Sequence, residues 1–593
     1  MTAYHLIEDR AATPEGASDV FLIFEGLRWT YGEFYDALQP VGNWLIKDLG
    51  VQKGDVVLLD GGNTPEYLMI SLALEAVGAV CALLNCNLTG KVLVHSVKLS
   101  TSRYVLADEH VRSLVSPVEA KLKDGGVETV YYSPAFFETL KDMSPLPKDR
   151  TADLDPAGLR NLLYTSGTTG LPKAVSFPRG RALLFSRVIG QYLRLKPGEV
   201  MYTCLPLYHA SALALCTLPC MFTGAAVCLG RKFSHATFWP EVRSSRATVV
   251  QYVGELCRYL VNAPPSPLDK EHCVRVAWGN GMRPDVWERF RDRFGIECIN
   301  ELYGASDGMH TTLNANRGDF TANAIALRGA LWHLLNRFEK RVLIDPDTQE
   351  VLRGKDGWAI LAKADEAGEV IVRLNPKDPD YGVPQYYNNK SAVEKRRIRD
   401  VFRRGDVWYR SGDLFREDSQ GRVYFVDRLG DTFRWHSENV STSEVGDVVG
   451  EFAHVAEANV YGVLVPHADG RAGCAAVVPT DEFLSPSSSE TGTEKEEQEK
   501  QAKEIDLAGL ATHCLASLPR YAVPIFLRVV SGLDYTGTYK LQKQRLRAQG
   551  IDLDAIARES PGDRMYWLPP GKTEYVPFTE DDFRALKAGN VRL

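Results

Sequence analysis

The sequence predicts an α/β protein with two domains: a large N-terminal domain, residues 1–428, built on mostly parallel sheets, and a small α+β C-terminal domain, residues 429–593. Three observations support this prediction. The chain has 593 residues, which is too long for a single hydrophobic core. Apolar strand-like runs alternate with helical runs through much of the chain, as in parallel sheets that carry helices on both faces. A flexible joint, Arg428-Leu429-Gly430, precedes a last segment with its own strand and helix patterns.

The first elements are predicted from turn and cap signals. In FLIFEGLRWTY, residues 21–31, Gly26 lies between two alternating apolar runs, which is typical of a β-hairpin. Thr30 precedes a helically spaced run, as an N-cap residue does. Further strands are predicted at DVVLLDGG, RYVLAD, VMYTCLP, GAAVCLG, ATVVQYV and VRVAWGN. Because such sheets bind ligands beyond the carboxyl ends of their strands, the glycines that end several of these runs indicate candidate ligand turns.

One apolar window, residues 210–229, is long enough to span a bilayer. Pro219 and Gly224 interrupt it, so a buried helix, a turn and a buried strand explain it at least as well. The N-terminal residues lack the apolar core of a secretory signal, and we expect the chain to start directly at the catalytic domain.

The amino-acid composition argues against a nucleic-acid partner and against a disulfide-based fold. The formal net charge is −7, so nothing global predicts a nucleic-acid partner, which would favour a basic face. The eleven cysteines lack C-x-x-C pairs, which predicts reduced thiols, no zinc site and an intracellular compartment. Residues 484–503 are rich in Ser, Glu and Lys, and we predict a disordered insertion within the C-terminal domain.

Residues 164–173, YTSGTTGLPK, predict a loop that binds phosphate. Small hydroxyl residues and glycines let backbone N–H groups approach phosphate oxygens, and a lysine adds positive charge. The loop is not the Walker pattern, because Pro172 precedes Lys173 and no Gly-Lys-Ser/Thr follows. The candidate phosphate ligands are Thr165, Ser166, Gly167, Thr168, Thr169, Gly170 and Lys173.

This loop resembles the signature loop of the adenylate-forming superfamily, and other motifs agree in order and spacing. PLYHASA (206–212), WGNGMRPD (278–285), ELYGASDG (301–308) and YRSGDL (409–414) are similar to elements of the same superfamily. TVVQYVGELCRYLVNAPP and GDTFRWHSENVSTSEV resemble its fatty acid transport protein branch, the very-long-chain acyl-CoA synthetases. The resemblance extends from about Thr30 to about Gln544. It implies an N-terminal AMP-binding (adenylation) domain and a mobile C-terminal domain.

The resemblance also implies an activity and its substrates. The chain would be an ATP-dependent fatty acid–CoA ligase that activates a long- or very-long-chain fatty acid as an acyl-adenylate and then forms the CoA thioester. The implied small-molecule partners are a carboxylic acid, ATP with Mg²⁺, and coenzyme A. Adenylation needs charge neutralisation at the phosphates, which the residue types in these motifs can supply.

Individual roles follow from the same resemblance. Asp413 would bind both ribose hydroxyls, because one carboxylate has two acceptor oxygens, and Arg428 would support the ribose–phosphate side. Lys540 would reach the α-phosphate, with Lys543 as the nearby competitor. His209 would gate the path of coenzyme A. The residues implied at the adenine are Gly279, Asn280, Gly281 and Tyr303, and Gly304, Ala305 and Ser306 are further implied ATP- or AMP-binding residues.

Two departures from the branch pattern affect these roles. Asp307 stands where the branch carries Glu, the carboxylate that places Mg²⁺ on the triphosphate, and Asp is one methylene shorter. His436 and Ser437 stand where the branch carries Lys-Gly. They lie in the segment implied in thioester formation, to which Arg434, Trp435, His436 and Glu438 belong. Gly430 is the implied hinge between the two half-reactions.

Three other functions stay open: an acyl-AMP ligase that loads a carrier protein, a fatty-acid uptake or transport component with weak catalysis, and a binding-only relative that has lost activity. The basic run at residues 395–404, KRRIRDVFRR, is predicted to be a solvated helix face, with anionic lipid or a coenzyme A phosphate as alternative partners. Val591-Arg592-Leu593 partly resembles a peroxisomal address. The expected location is therefore the peroxisome or the cytoplasm, with peripheral membrane contact as an alternative, and the oligomeric state is not predicted.

Overall fold

The computed structural model describes residues 1–165, 172–345, 348–436, 438–468, 470–480, 505–536, 541–591 and 593. The chain divides into two compact units. The first contains Met1–Met282, Phe290–Phe320 and Leu374–Ile398, and the second contains Arg283–Arg289, Thr321–Arg373 and Arg399–Leu593. The predicted domain boundary, between residues 428 and 429, lies within the second unit and stays a prediction.

The described strands are β1 (Val20–Phe24), β2 (Leu27–Thr30), β3 (Val56–Asp60), β4 (Val80–Leu84), β5 (Tyr104–Asp108), β6 (Glu128–Tyr132), β7 (Leu159–Thr165), β8 (Lys173–Pro178), β9 (Val200–Thr203), β10 (Ala226–Leu229), β11 (Val249–Val253), β12 (Val276–Asn280), β13 (Cys298–Gly304), β14 (Thr311–Arg317), β15 (Ala326–Leu327), β16 (Glu339–Val342), β17 (Ala367–Arg373), β18 (Gln385–Tyr386), β19 (Arg397–Arg399), β20 (Val407–Glu417), β21 (Arg422–Arg428), β22 (Phe433–Trp435), β23 (Glu438–Val440), β24 (Val455–Leu464), β25 (Arg471–Pro479), β26 (Phe526–Val529), β27 (Arg564–Trp567) and β28 (Val576–Pro577).

The described α-helices are α1 (Ala3–Ala11), α2 (Pro14–Ser18), α3 (Tyr31–Lys47), α4 (Pro65–Ala76), α5 (Gly90–Ser100), α6 (Arg112–Asp124), α7 (Pro134–Phe137), α8 (Asp149–Ala152), α9 (Arg179–Tyr192), α10 (Ala210–Ala212), α11 (Leu218–Thr223), α12 (His235–Ser245), α13 (Gly254–Asn262), α14 (Pro284–Phe294), α15 (Ala330–Leu335), α16 (Lys390–Glu394), α17 (Thr442–Glu451), α18 (Leu507–Ser517), α19 (Gln544–Gln549), α20 (Leu553–Glu559) and α21 (Glu580–Lys587). A 3₁₀ turn covers Glu109–Val111, and a π turn, Leu213–Thr217, joins α10 to α11.

Two sheets, parallel in their centres, form the first unit. One has the strand order β14-β13-β12-β11-β9-β10-β1-β2, and the other has the order β18-β8-β7-β4-β3-β5-β6. All pairings from β13 to β1 in the first of these sheets are parallel. The predicted strands therefore form the predicted parallel sheets, because their nearly continuous apolar sequences suit strands buried on both faces.

The turn and the helix start that were predicted near Gly26 and Thr30 are both present in the first unit. Glu25 and Gly26 take positive φ angles of 49° and 83° in the turn between β1 and β2. The Thr30 hydroxyl accepts the Glu33 N–H, and the Glu33 carboxylate accepts the Thr30 N–H, which is a capping box. These contacts confirm the predicted hairpin and the predicted helix start.

The apolar window at residues 210–229 is largely buried. It forms α10, the π turn, α11, a left-handed Gly224 and β10, as the alternative to a bilayer span predicts. Among the described residues, no helix combines the length and apolar composition needed to cross a bilayer. The eleven cysteines are all free thiols, as predicted.

The second unit contains an antiparallel sheet and an α+β segment. The antiparallel sheet includes the strand order β15-β21-β20-β17-β16. The α+β segment has the strand order β24-β25-β26-β27-β28, in which β25 and β26 are parallel. Apolar residues of this sheet and of α17 and α18 share one core. The predicted small α+β fold at the C-terminal end is confirmed, and the predicted insertion at 484–503 lies outside the described residues.

The structure corrects the prediction for the basic run at 395–404. Helix α16 ends at Glu394, and Arg397–Arg399 form strand β19. The Arg397 side chain is 8% exposed and pairs with Asp380 and Glu394. The run is therefore not a solvated helix face, because part of its charge is neutralised within the fold.

Candidate active site

The predicted phosphate loop begins and ends on two paired strands. Thr165 ends β7, Lys173 begins β8, and the two residues face each other in the antiparallel register. The Lys173 ammonium lies 5.3 Å from the centre of the Tyr386 ring. Ser166, Gly167, Thr168, Thr169 and Gly170 lie outside the described residues. The structure thus places both ends of the loop, and it positions the charge that the loop was predicted to supply.

Asp307 lies in a polar cluster that the sequence analysis did not predict. The Tyr386 hydroxyl donates to the Asp307 carboxylate. The Arg396 guanidinium lies 3.2 Å from the same carboxylate and donates to the Asp307 carbonyl at 2.7 Å. Strand β18 carries Tyr386 and pairs with β8, which carries Lys173. The Asp307 carboxylate therefore has a phenol and a guanidinium as partners, and sheet pairing places the Lys173 ammonium on the other side of this contact, near the Tyr386 ring.

The predicted adenine turn follows β12. Gly279 pairs with Tyr252 of β11, and a Cβ on Gly279 would lie 2.2 Å from the Tyr252 carbonyl oxygen. Gly281 has a φ of 76°, where a Cβ would be strained although the space beside it is open. Asn280 ends the strand between them and is half-buried. Gly279 thus allows close packing against β11, and the open space beside Gly281 leaves room for a flat base to approach the backbone.

Glu301 holds this turn and was missed by the sequence analysis. Its carboxylate accepts the N–H groups of Gly281 and Met282 at 3.0 and 3.1 Å, and the Tyr252 hydroxyl donates to it at 2.6 Å. Burial raises the pKa of Glu301 to about 7, although the three donors oppose this shift. Its position two residues before the aromatic Tyr303 in ELYGASDG was the available signal.

Tyr303, Gly304, Ala305 and Ser306 connect β13 to β14. Tyr303 and Gly304 end β13, and the Gly308 N–H donates to the Ala305 carbonyl at 3.0 Å, which closes the turn. β12 and β13 are parallel neighbours, with Gly279 opposite Glu301. The structure therefore brings the predicted stacking residue and the predicted adenine turn to the same edge of one sheet.

His209 precedes α10 and is half-buried. Its ring centre lies 4.7 Å from that of Tyr208. The preceding loop is fixed by Asn63, whose amide accepts the Leu207 N–H and donates to the Leu205 carbonyl. These contacts fix the backbone just before His209, and the gating role of its imidazole stays a prediction.

In the second unit, Asp413 and Arg428 are direct cross-strand partners on β20 and β21. Asp413 is 9% exposed. The fully buried Glu369 braces this strand, because its carboxylate accepts the Gly412 N–H and pairs with Arg410, each at 2.8 Å. The two residues predicted for the ribose side are therefore together, and Glu369 is a supporting carboxylate that the sequence analysis missed.

At Gly430, the predicted hinge residue, the backbone stops bonding to one part of the second unit and begins bonding to another. The Leu429 N–H donates to the Gly412 carbonyl, and the Leu429 carbonyl accepts from Gln349. The Gly430 and Asp431 carbonyls instead accept from Arg547 at 3.2 and 3.1 Å. Residues before the joint are thus bonded to the antiparallel sheet, and residues after it to the C-terminal segment.

The predicted thioester segment is a short hairpin. Trp435 of β22 faces Glu438 of β23 and is buried in the C-terminal core. His436 takes a φ of 50° in the turn and is exposed, as is Glu438, while Arg434 is half-buried. Trp435 therefore belongs to the hydrophobic core of the C-terminal segment. The polar side chains of Arg434, His436 and Glu438 in this hairpin reach solvent. Ser437 lies outside the described residues.

Of the two candidate lysines, Lys543 is described, and Lys540 lies outside the described residues. The Lys543 ammonium donates to the Thr442 hydroxyl at 2.5 Å and lies 3.8 Å from the Asp431 carboxylate. Burial lowers the pKa of Lys543, and Asp431 opposes this shift. These contacts give Lys543 a structural position near the predicted hinge.

The described residues fit a nucleotide and one Mg²⁺ ion. The turn after β12 can face a base, and Arg396 beside Asp307 and Lys173 beside Tyr386 can face phosphate oxygens. Within the described ranges, no three His, Cys, Asp or Glu side chains form a metal cluster. A single protein carboxylate still fits Mg²⁺, since this ion is often bound by one or two carboxylates, waters and substrate phosphates.

Comparison with known proteins gives a consistent result. The AMP-binding enzyme family matches residues 8–373. A very long-chain fatty acid transport protein of Cochliobolus heterostrophus is 48% identical over 100% of this chain and 88% of its own length. The isopenicillin N epimerase component 1 of Hapsidospora chrysogena is 38% identical over 94% and 85%. The medium/long-chain-fatty-acid–CoA ligase FadD6 of Mycobacterium tuberculosis is 35% identical over 97% and 89%.

A solved structure shares the fold. The anthranilate CoA ligase AuaEII in complex with anthranoyl-AMP has a TM-score of 0.72 and 17% identity, and the match covers 92% of this chain and 97% of that one. At this identity the likeness supports the fold alone.

Proposed function

The chain belongs to the AMP-binding enzyme family, in its fatty acid transport protein branch, and from this membership we propose that it is an ATP-dependent acyl-CoA synthetase for long- or very-long-chain fatty acids. The observation that carries the proposal is the near full-length match to relatives named for fatty acid transport and for fatty acid–CoA ligation. The signature motifs occur in the expected order along the chain.

The proposed first half-reaction activates the acid. A carboxylate is a poor electrophile, so its oxygen attacks the α-phosphorus of ATP, and pyrophosphate leaves. Lys173 would neutralise charge on the leaving phosphates, and Lys540 would stabilise charge on the α-phosphate. Tyr303 and the Gly279–Asn280–Gly281 turn would hold adenine, and Asp413 with Arg428 would hold the ribose–phosphate. Each role is a proposal that follows the motif match.

Asp307 would be the protein ligand of Mg²⁺. When bound, the ion would neutralise charge on the triphosphate. Tyr386 and Arg396 orient the Asp307 carboxylate in this structure. Because Arg396 pairs with the same oxygens that would face the ion, we propose that it moves toward a phosphate oxygen when the ion is present.

In the proposed second half-reaction, the thiol sulfur of coenzyme A attacks the acyl carbon, and AMP leaves. The exposed His436 and Glu438 are the proposed contacts of this step. The change of hydrogen-bond partners between Leu429 and Gly430 supports a hinge there, so that the C-terminal segment can present different faces to the two steps.

A second candidate is an acyl-AMP ligase that loads a carrier protein. It is motivated by the departure at His436 and Ser437, in the segment proposed for the thioester step. The relation to isopenicillin N epimerase component 1 also supports testing acids other than simple fatty acids.

The proposal is tested by product analysis. Purified protein is incubated with ATP, Mg²⁺ and palmitate, with either coenzyme A or a phosphopantetheinylated carrier protein, and the thioester is identified by mass spectrometry. We expect palmitoyl-CoA as the main product. Acylated carrier protein without palmitoyl-CoA would support the second candidate, and no thioester with any acid would contradict both.

The location of the protein in the cell is a separate proposal. We propose the peroxisome or the cytoplasm, and the residue Arg592 of the partial peroxisomal address lies outside the described residues. A fluorescent protein carrying the last residues of this chain should enter peroxisomes, and a diffuse signal would favour the cytoplasm.

A further inference from the structure

Helix α5 supports the strand that enters the predicted phosphate loop. Its apolar residues Leu93 and Val97 share one hydrophobic core with Tyr164 of β7 and Ala174 of β8, the two strands on which the loop begins and ends. The Tyr164 hydroxyl donates to the Ser96 carbonyl of α5 at 2.8 Å. The helix is therefore fixed to the strand just before the loop.

The same helix also holds the other end of the loop, through His95. The imidazole Nε2 of His95 lies 3.2 Å from the carbonyl oxygen of Pro172, the residue directly before Lys173. A carbonyl oxygen can only accept, so Nε2 must carry a proton and donate it. His95 is half-buried and is the neighbour of Ser96. Two adjacent residues of one helix are thus bonded to the strand that enters the loop and to the residue that leaves it.

The contact with His95 fixes the peptide that leads to Lys173. Proline has no backbone N–H, so the carbonyl is the backbone group through which Pro172 can form a hydrogen bond. The peptide between Pro172 and Lys173 is planar, and holding its oxygen therefore also holds the Lys173 nitrogen. Lys173 is the first residue of β8. The sheet thus holds Lys173 on one side, and His95 holds the peptide on the other.

The position of Lys173 matters because of what lies beside it. The Lys173 ammonium lies 5.3 Å from the centre of the Tyr386 ring, and the Tyr386 hydroxyl donates to the Asp307 carboxylate. The next residue, Tyr387, has its hydroxyl 3.1 Å from that of Thr101, the residue that ends α5. Both sides of the contact between Lys173 and Tyr386 therefore connect to the same helix.

We propose that His95 is a positioning residue for ATP: through the Pro172 carbonyl it places the Lys173 ammonium where the triphosphate binds, and it does not itself touch the nucleotide. The inference rests on the proposed function, which assigns the triphosphate to Lys173. His95 and Pro172 are 77 positions apart, so no local pattern in the sequence marks their contact. A purely structural role for His95 would instead predict a loss of stability without a selective loss of ATP affinity.

The test compares three substitutions of His95 in the full chain. Glutamine brings an amide N–H close to the position of the imidazole Nε2, so His95→Gln should keep the bond to Pro172. Asparagine is too short and leucine has no donor, so His95→Asn and His95→Leu should lose the bond. The matched control is His272→Leu, because His272 is also half-buried and its Nε2 lies 3.0 Å from a backbone carbonyl, that of Phe294.

The dissociation constant of ATP is measured by titration calorimetry without acid or coenzyme A, and the melting temperature of each variant is recorded. We expect His95→Leu and His95→Asn to raise this constant about tenfold. His95→Gln and His272→Leu should stay within about twofold of the wild type, even where they lower the melting temperature. In initial-rate assays the same loss should appear in KM for ATP, with KM for palmitate unchanged.

A double-mutant cycle tests whether His95 acts through Lys173. In the Lys173→Met background, adding His95→Leu should change the dissociation constant of ATP by less than about twofold. The same loss in both backgrounds would overturn the proposal, as would equal ATP affinity in the wild type and His95→Leu. A similar loss in His95→Gln or in His272→Leu would also overturn it. Bound ATP without any thioester product would contradict the proposed function, and the dissociation constants would still decide the role of His95.

Discussion

At the scale of single residues, the Glu301 carboxylate holds the turn that is proposed to bind adenine. It accepts three hydrogen bonds, two of them from the backbone N–H groups of Gly281 and Met282 in the proposed adenine turn. The ionised form suits the three donors best, because a proton on one oxygen takes a lone-pair position that a donor can otherwise use. The shape of the turn is thereby coupled to the charge of a carboxyl group whose pKa is about 7.

The pKa of Glu301 predicts a pH dependence. The pKa of Glu301 in the folded chain is raised above its ordinary 4.5. The free energy of unfolding therefore falls as the pH rises from about 4.5 to about 7, because Glu301 ionises more readily in the unfolded chain. Binding of ATP should change in the opposite direction, with its Michaelis constant rising as the pH falls through about 7.

Glu301→Gln should remove this pH-dependent difference, since an amide does not titrate. It should also raise the Michaelis constant for ATP by roughly 5- to 150-fold at high pH, because one backbone N–H loses its acceptor at a cost of about 1–3 kcal/mol. Initial-rate kinetics of both proteins between about pH 6 and about pH 8 provide the measurement. Parallel profiles for the two proteins would show that Glu301 does not control the turn.

Asp413→Ala should severely weaken the use of ATP. The loss of a charge-assisted contact to two hydroxyls costs about 2–4 kcal/mol, or roughly 30- to 1000-fold in kcat/KM for ATP. The fold should be retained, because Ser411 and Glu369 brace the strand through backbone groups. An unchanged Michaelis constant for ATP would remove Asp413 from the proposed site.

Residue motifs predicted part of this geometry. Asp413 and Arg428 were found because each lies in a local sequence pattern, and the structure pairs them across two strands. Glu369 and Tyr386 could not be found in this way. They approach the candidate residues only through pairing between strands that are distant in sequence, and no local pattern marks such a contact.

At the scale of elements, the joint at residues 429–431 is the feature that the proposed mechanism depends on. A Cβ on Gly430 would meet no atom within 4 Å, and Gly430 lacks a positive φ, so Gly430→Ala is a suitable control. Gly430→Pro fixes φ and should hinder rotation after adenylation. We expect it to slow thioester formation more than acid-dependent pyrophosphate release. If Gly430→Pro and Gly430→Ala behave alike, the hinge lies elsewhere.

The two lysines of the C-terminal segment make a second prediction at this scale. Lys540→Ala should reduce adenylation by roughly 100- to 1000-fold and leave thioester formation from synthetic palmitoyl-adenylate nearly intact. Lys543→Ala should instead lower the melting temperature, because Lys543 bonds Thr442 and pairs with Asp431. Equal slowing of both halves by Lys540→Ala would contradict the two-conformation account.

Elements were predicted well where one signal dominated. β3, β9 and β10 followed from short apolar runs, and α3 from its Thr30 cap. The prediction of a solvated helix face at residues 395–404 was wrong, because charge alone does not distinguish a helix from a strand. Arg397 pairs with Asp380 and Glu394, and these contacts form only in the folded chain.

At the scale of the whole molecule, the chain combines two sheets with parallel centres in the first unit with an antiparallel sheet and an α+β segment in the second. The parallel sheets and the α+β segment were predictable, because their strands are apolar and punctuated by glycine. The exposure of Leu331, Leu334 and Leu335 on α15 was not predictable, because a short apolar run in a sequence suggests a buried helix. Only the anchoring of Trp332 and His333 shows which side of α15 is exposed.

The measurement that tests the central claim most directly is pyrophosphate release across a panel of acids, with and without coenzyme A. The account predicts release that depends on both ATP and acid, is greatest for long or very long chains, and is accelerated by coenzyme A through turnover to AMP and acyl-CoA. Asp413→Ala should abolish most of this signal. Pyrophosphate release that is absent for every acid, or that is present without any acid, would contradict the claim that this chain is an acyl-CoA synthetase.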